Sequence, residues 1–120
     1  MINRYEGNGR LARVVEYNGI LYLTGRTCWG EEGIQAQTKG LLEAIENTLK
    51  MYGSDKRHIL RAQVFLKNIN RDFQLMNEVW EAWIEPGYEP ARATVQAEMA
   101  REQALIEIVV TAARCESSRE

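Results

Sequence analysis

The sequence predicts an α+β domain, a mixed sheet with both of its helices on one face. Three observations carry that prediction. Apolar positions alternate between period two and period 3.6, in the order strand, strand, helix, strand, helix, strand, strand. Asn18-Gly19 stands between two β-rich runs, and that dipeptide tolerates the left-handed backbone a two-residue hairpin needs. A helical stretch separates the second strand run from the third, which allows a crossover to a parallel neighbour.

Taken in order, Met1 to Arg10 is polar and glycine-containing and is expected to be an irregular arm. Leu11 to Tyr17 and Ile20 to Thr24 are the first two strands. Thr24-Gly25-Arg26 closes the second; Gly25 permits a positive φ or a close backbone approach. Cys28 to Gly33 is a short loop. Ile34 to Tyr52 is a helix with Ile34, Leu41, Leu42, Ile45, Leu49 and Tyr52 on one face, stopped at Gly53. Gly40 within it costs about 1 kcal/mol against alanine, so close packing is expected there. Asp55 to His58 connects to a third strand, Ile59 to Leu66. Asn70 or Asp72 is expected to cap a second helix running to about Glu85, its apolar face Phe73, Met76, Trp80 and Trp83 or Ile84. Pro86-Gly87 ends it, and Tyr88-Glu89-Pro90 turns the chain into its last part.

That last part concentrates the chemistry. Arg92, Thr94, Gln96 and Glu98 alternate with Ala93, Val95, Ala97 and Met99, a half-buried strand. After a polar break at 100–103, residues Ala104 to Ala112 form an apolar run with one carboxylate, Glu107, in its middle. The two runs read as an antiparallel hairpin. Centred on Ala100 and Arg101, its register sets Glu107 opposite Thr94 and diagonal to Arg92, with Cβ atoms roughly 4.5–8 Å apart. A slip of one residue sends Glu107 to the other face. Arg92 is a permanently charged fork suited to a carboxylate, or one half of a structural ion pair with Glu107 or Glu98. A carboxylate such as Glu107 among branched aliphatics is paired, hydrated or functional, and beside bound water it can act as a general base. Thr94 offers a hydroxyl, or only strand propensity.

Composition narrows the classes. At 120 residues the chain is expected to form one domain. With 45% hydrophobic and 27% charged residues it fits a soluble globular class. A net charge of −2 argues against a nucleic-acid partner, no apolar run is long enough for a membrane span, and the first residues lack a secretory core. Cys28 and Cys115 are expected to be free thiols of a cytoplasmic protein. His58 is the single histidine, so no metal spacing is expected. The spacing of Trp80 and Trp83 favours core packing over ring stacking, and no Ser-His-Asp set or phosphate loop is discernible. Helices on one face leave the other uncovered, and Val14, Tyr22, Leu105 and Val109 or their alternating partners must be buried somewhere. A closed homo-oligomer is therefore expected.

Glu89-Pro90-Ala91-Arg92-Ala93-Thr94-Val95-Gln96-Ala97, followed by Ile106-Glu107-Ile108, resembles the signature of the YjgF/Rid family of imine and enamine deaminases. Leu21 to Arg26, Gln37 with Leu41 to Leu49, Val64 to Asn68 and Phe73 to Asn77 are similar to its other segments, so the likeness spans residues 9–114, with 115–120 a polar tail. The resemblance implies a chorismate-mutase-like fold that closes into a trimeric barrel with clefts between subunits. It implies that Arg92 binds the carboxylate of a 2-imino or 2-enamino acid and Glu107 activates water. Thr24, Gly25, Arg26, Thr94 and Leu11 would complete the substrate site, and the products would be a 2-keto acid and ammonia. No metal or organic cofactor is implied. Thr94 stands where well-known members carry cysteine, Leu11 where many carry tyrosine, and Arg26 where they carry glutamine. Arg26 could favour a more acidic ligand or point outward. The alternatives are a non-catalytic trimer that senses a small carboxylate and, less favoured, an RNA-acting translation inhibitor.

Overall fold

The computed structural model describes residues 1–116 of the chain, so the end of the expected polar tail lies outside the described residues. The strands are β1 (Asn3–Gly7), β2 (Ala12–Tyr17), β3 (Ile20–Leu23), β4 (Ile59–Leu66), β5 (Ala91–Gln96) and β6 (Ile106–Ala113); the helices are α1 (Ile34–Met51) and α2 (Ile69–Trp83). All six strands form one sheet in the order β1-β2-β3-β6-β4-β5.

The predicted turn chemistry is present. Asn18 and Gly19 have φ of 53° and 79°, and they join β2 to β3 as an antiparallel hairpin. Gly53, at φ 84°, closes α1: its amide donates to the Lys50 carbonyl and that of Ser54 to the Leu49 carbonyl. Gly40 is packed as expected, since a Cβ there would lie 2.7 Å from Cys28 Sγ. The cap of α2 is Asn68, whose Oδ1 accepts from the Arg71 amide; the expected Asp72 is instead buried and ion-paired to Arg71 at 2.8 Å. The expected irregular arm contains β1, an edge strand on β2. Its polar composition concealed it, because an edge strand can be held by backbone bonds and a half-buried contact, here Tyr5 against Tyr52 at 4.9 Å.

The larger correction concerns the C-terminal pair. β5 and β6 are not a hairpin. The chain runs from β4 over α2 and returns as β5, parallel to β4 at the sheet edge, while β6 lies between β3 and β4 and pairs antiparallel with both. Its apolar run suits that central position, paired along both edges. β3 and β4 therefore run parallel with β6 between them, so the crossover over α1 spans one strand rather than reaching a neighbour.

Both helices cover one face, as expected. Ala62, Val64 and Leu66 of β4 and Ile106, Ile108, Val110 and Ala112 of β6 are buried in one core cluster with Leu41, Leu42, Ile45 and Leu49 of α1 and Met76 and Trp80 of α2. The intervening residues, Gln63 and Phe65 of β4 and Glu107, Val109 and Thr111 of β6, are half-buried on the uncovered face. Toward the sides of that face Tyr22 and Val95 are 47% and 44% exposed.

Candidate functional site

The first part of the site forms where the chain leaves β3. The Arg26 amide donates to the Ile108 carbonyl and the Ile108 amide donates back to Arg26, both at 3.0 Å. This antiparallel bridge sets Gly25 opposite Val109 and diagonal to Glu107 on the uncovered face. A Cβ on Gly25 would lie 2.1 Å from Glu107 Oε2 and 3.3 Å from Val109 Cγ2, so the carboxylate occupies the space that any side chain at 25 would take. Glu107 pairs with Phe65, and Phe65 with Val95, so the carboxylate is set in a row of apolar residues on the uncovered face. Among the described residues no cation lies within salt-bridge distance of it.

The second part lies on the opposite face of the sheet. Arg92 pairs with Ala62, and Ala62 with Val110, both buried under the helices. Its guanidinium carbon stands 5.1 Å from the Trp80 ring centroid, with Nη1 3.8 Å from Met76 Sδ. Burial lowers the proton affinity of Arg92 and Glu81 opposes that shift; a guanidinium remains cationic at neutral pH. Among the described residues no carboxylate pairs with it, so neither expected ion pair, with Glu107 or with Glu98, is formed. Thr94 shares this face. Among the described residues its Oγ1 is the one buried side-chain polar atom without a hydrogen-bond partner, and the residue borders an open groove of about 630 Å³ with Ile69, Asn70 and Phe73 at the start of α2.

The expected single patch of Arg92, Thr94 and Glu107 is thus absent from one protomer. Phe65 of β4 separates Glu107 from Val95, not from Thr94, and this one-residue offset from the hairpin register turns the acid to the other surface. Arg26 shares the face of Ile108 and donates from Nη1 to Thr48 Oγ1 on α1 at 3.1 Å; burial, then the nearby Arg13, lowers its pKa. Its guanidinium is therefore held under α1, away from the Gly25–Glu107 opening. Thr24 is held through its amide by the Arg13 carbonyl at 2.9 Å. Leu11, two residues before Arg13 and hence at the same end of the sheet, is 47% exposed in a turn that Asn8 ties through both side chain and backbone.

Two features escaped the sequence reading. A groove of about 550 Å³ between α1 and α2, lined by Gln35, Lys39, Glu43, Glu78 and Trp83, includes none of the expected site residues. Asp55, His58 and Cys115 place one donor atom each within 4.8 Å of one another. A separation of 57 residues between His58 and Cys115 leaves no local spacing to detect.

The sequence profile of the family described as endoribonuclease L-PSP matches residues 1–114. The chain belongs to that family, also called YjgF/Rid or RutC. Within it, the chain is 37% identical over 114 residues to a RutC family protein of Haemophilus ducreyi, covering 94% of this chain and 97% of that one. It is 38% identical over 112 residues to the RutC family protein YoaB of Escherichia coli K12, covering 93% and 97%. The crystal structure of a YjgF family member from Neisseria meningitidis superposes with a TM-score of 0.93 at 35% identity, over 98% of each chain. The YjgF architecture is accordingly that of the six-stranded mixed sheet with two helices on one face. Among the described residues, no helix is long and apolar enough to cross a membrane.

Proposed function

We propose that this YjgF protein hydrolyses small 2-imino and 2-enamino acids to 2-keto acids and ammonia, at sites shared between protomers of a trimer. The observation that carries this reading is the division of the site. Glu107 rests its carboxylate over Gly25 on the uncovered face, while Arg92, at the sheet edge on the other face, has no counter-anion among the described residues. Two such halves meet when the β5 edge of one copy approaches the uncovered face of the next. The exposed Tyr22 and Val95 supply apolar surface for that contact.

In the joined cleft the Arg92 fork holds the substrate carboxylate. Glu107 takes a proton from a water as its oxygen bonds to the imine carbon and the C=N π pair moves to nitrogen. Glu107 returns that proton to the nitrogen, giving the neutral carbinolamine. The hydroxyl proton then passes through Glu107 to the nitrogen as the C=O bond forms and the C–N bond breaks, so ammonia leaves, one water is consumed and the carboxylate is regenerated. Gly25 admits the carboxylate to the cleft, Thr24 and Leu11 border it at the same sheet end, and Thr94 supplies a hydroxyl beside Arg92. Arg26 acts from below, fixing the strand end through Ile108 and Thr48. The route needs no metal and no organic cofactor.

Ammonia release from 2-iminobutanoate tests this directly. Wild type turns over, and Arg92→Ala loses on the order of 10–100-fold in kcat/KM, the worth of one charge-assisted hydrogen bond of about 1.5–3 kcal/mol. Equal rates in the two proteins would reject the role of Arg92. Carboxylate binding without turnover would instead favour the sensing trimer, to which the aliphatic Leu11 and the unpaired Thr94 hydroxyl lend support. The family's description speaks of RNA cleavage; a net charge of −2 does not favour it here.

A further inference from the structure

We propose that Asp55, His58 and Cys115 form a binding site for a borderline-soft divalent cation of the zinc class, separate from the Arg92 and Glu107 chemistry. The three donor atoms lie within 4.8 Å of one another. His58 Nδ1 lies 2.7 Å from Asp55 Oδ1, Cys115 Sγ lies 3.6 Å from Asp55 Oδ2, and Sγ lies 3.7 Å from Nδ1. In a tetrahedral zinc site with bonds of about 2.3 Å to sulfur and about 2.0–2.1 Å to nitrogen and oxygen, ligand atoms are separated by roughly 3.3–3.6 Å. The two sulfur separations, to Asp55 Oδ2 and to His58 Nδ1, are close to such edges, so Oδ2 is the carboxylate oxygen offered beside the thiolate and imidazole, and the Oδ1–His58 hydrogen bond gives way when the metal binds. Thiolate, imidazole and carboxylate together select zinc over calcium or magnesium.

The donors are held by backbone rather than by chance contact. Asp55 caps the short 3₁₀ turn Lys56–His58, its carboxylate accepting from the Arg57 amide at 3.0 Å, and the His58 amide donates to the Asp55 carbonyl at 3.1 Å. The Cys115 amide donates to the Gly53 carbonyl at 2.8 Å, and Ser54 Oγ donates to the Ala113 carbonyl at 2.6 Å, fixing the chain after β6 against the end of α1. Neighbouring cations are engaged elsewhere: Lys56 on the Trp83 carbonyl, Arg57 on Glu85, Arg114 on Glu16. Thiolate and carboxylate together neutralise a divalent ion. A nucleophilic triad is not the reading, because Asp55 and Cys115 both approach Nδ1; a proton relay needs the acid and the thiol on different ring nitrogens. The side chains of His58 and Asp55 are 38% and 36% exposed, leaving a fourth position for water.

Titration of the reduced, chelator-treated full chain with Co²⁺ and then Zn²⁺ tests the site. The expected result is about one equivalent of Co²⁺ per chain with a thiolate-to-cobalt charge-transfer band in the near ultraviolet, bleached by Zn²⁺. Cys28→Ser keeps the band. Cys115→Ser abolishes it, and Cys115→Ser and His58→Gln each weaken Zn²⁺ binding at least about tenfold. Thermal melts of the same variants without metal establish that they fold. No band with excess Co²⁺, or a band that survives Cys115→Ser, overturns the proposal whatever the deaminase activity shows.

Discussion

Gly25 lets one methyl group interrogate the proposed chemistry. Its φ needs no glycine, so Gly25→Ala brings no backbone strain, but the new Cβ would fall 2.1 Å from Glu107 Oε2. The carboxylate, at the end of a flexible side chain, moves aside at low cost. We expect Gly25→Ala to melt within a few degrees of wild type yet lose at least about tenfold in kcat/KM, since misplacing a general base by an ångström or more is felt directly in the rate. Unchanged ammonia release would show that the position of Glu107 does not matter. Residue identities were readable at this scale. A carboxylate inside Leu-Ile-Glu-Ile-Val-Val is conspicuous in any sequence, and so is a glycine closing a strand. The direction in which Glu107 points was not readable, because parity depends on the partner strand and the partner proved to be β4.

Among the elements, those with local signals were legible: the Asn18-Gly19 hairpin, α1 with its Gly53 stop, and α2 with its apolar stripe. Strand order was not. Whether two consecutive strand runs pair with each other or admit a third between them is decided by long-range packing, which a polar break at 100–103 does not encode. One residue does tie these distant pieces together. Gln37 of α1 is 2% exposed; its Nε2 donates to the carbonyls of Glu31 and Gln103, and its Oε1 accepts from the Leu105 amide. It joins the loop after β3 to the loop that feeds β6. Gln37→Ala strands those backbone groups, and we expect a loss of about 1–3 kcal/mol in urea unfolding, the usual penalty for unsatisfied buried polar groups. A change within a few tenths of a kcal/mol would mean that water replaces the amide.

For the whole molecule, the expectation of an uncovered sheet face was correct, and what covers it is the proposal. Val95 is exposed in the protomer, so Val95→Asp should leave the isolated fold stable within about 0.5 kcal/mol. Buried in a trimer, the same charge is costly, and light scattering should report a shift toward monomer together with loss of imine turnover. A variant of unchanged mass and activity would place Val95 outside any interface. The division of the site between two protomers is the central claim, and subunit mixing tests it most directly. Arg92→Ala and Glu107→Gln chains, each strongly impaired alone, are co-refolded in equal amounts and assayed for ammonia release. If each cleft takes its arginine from one copy and its acid from the next, about one quarter of wild-type activity returns, because random assembly of a cyclic trimer places both intact residues at that share of interfaces. If both residues served a cleft from the same chain, every cleft in the mixture would lack one of them, and no recovery above the separate variants would contradict the account.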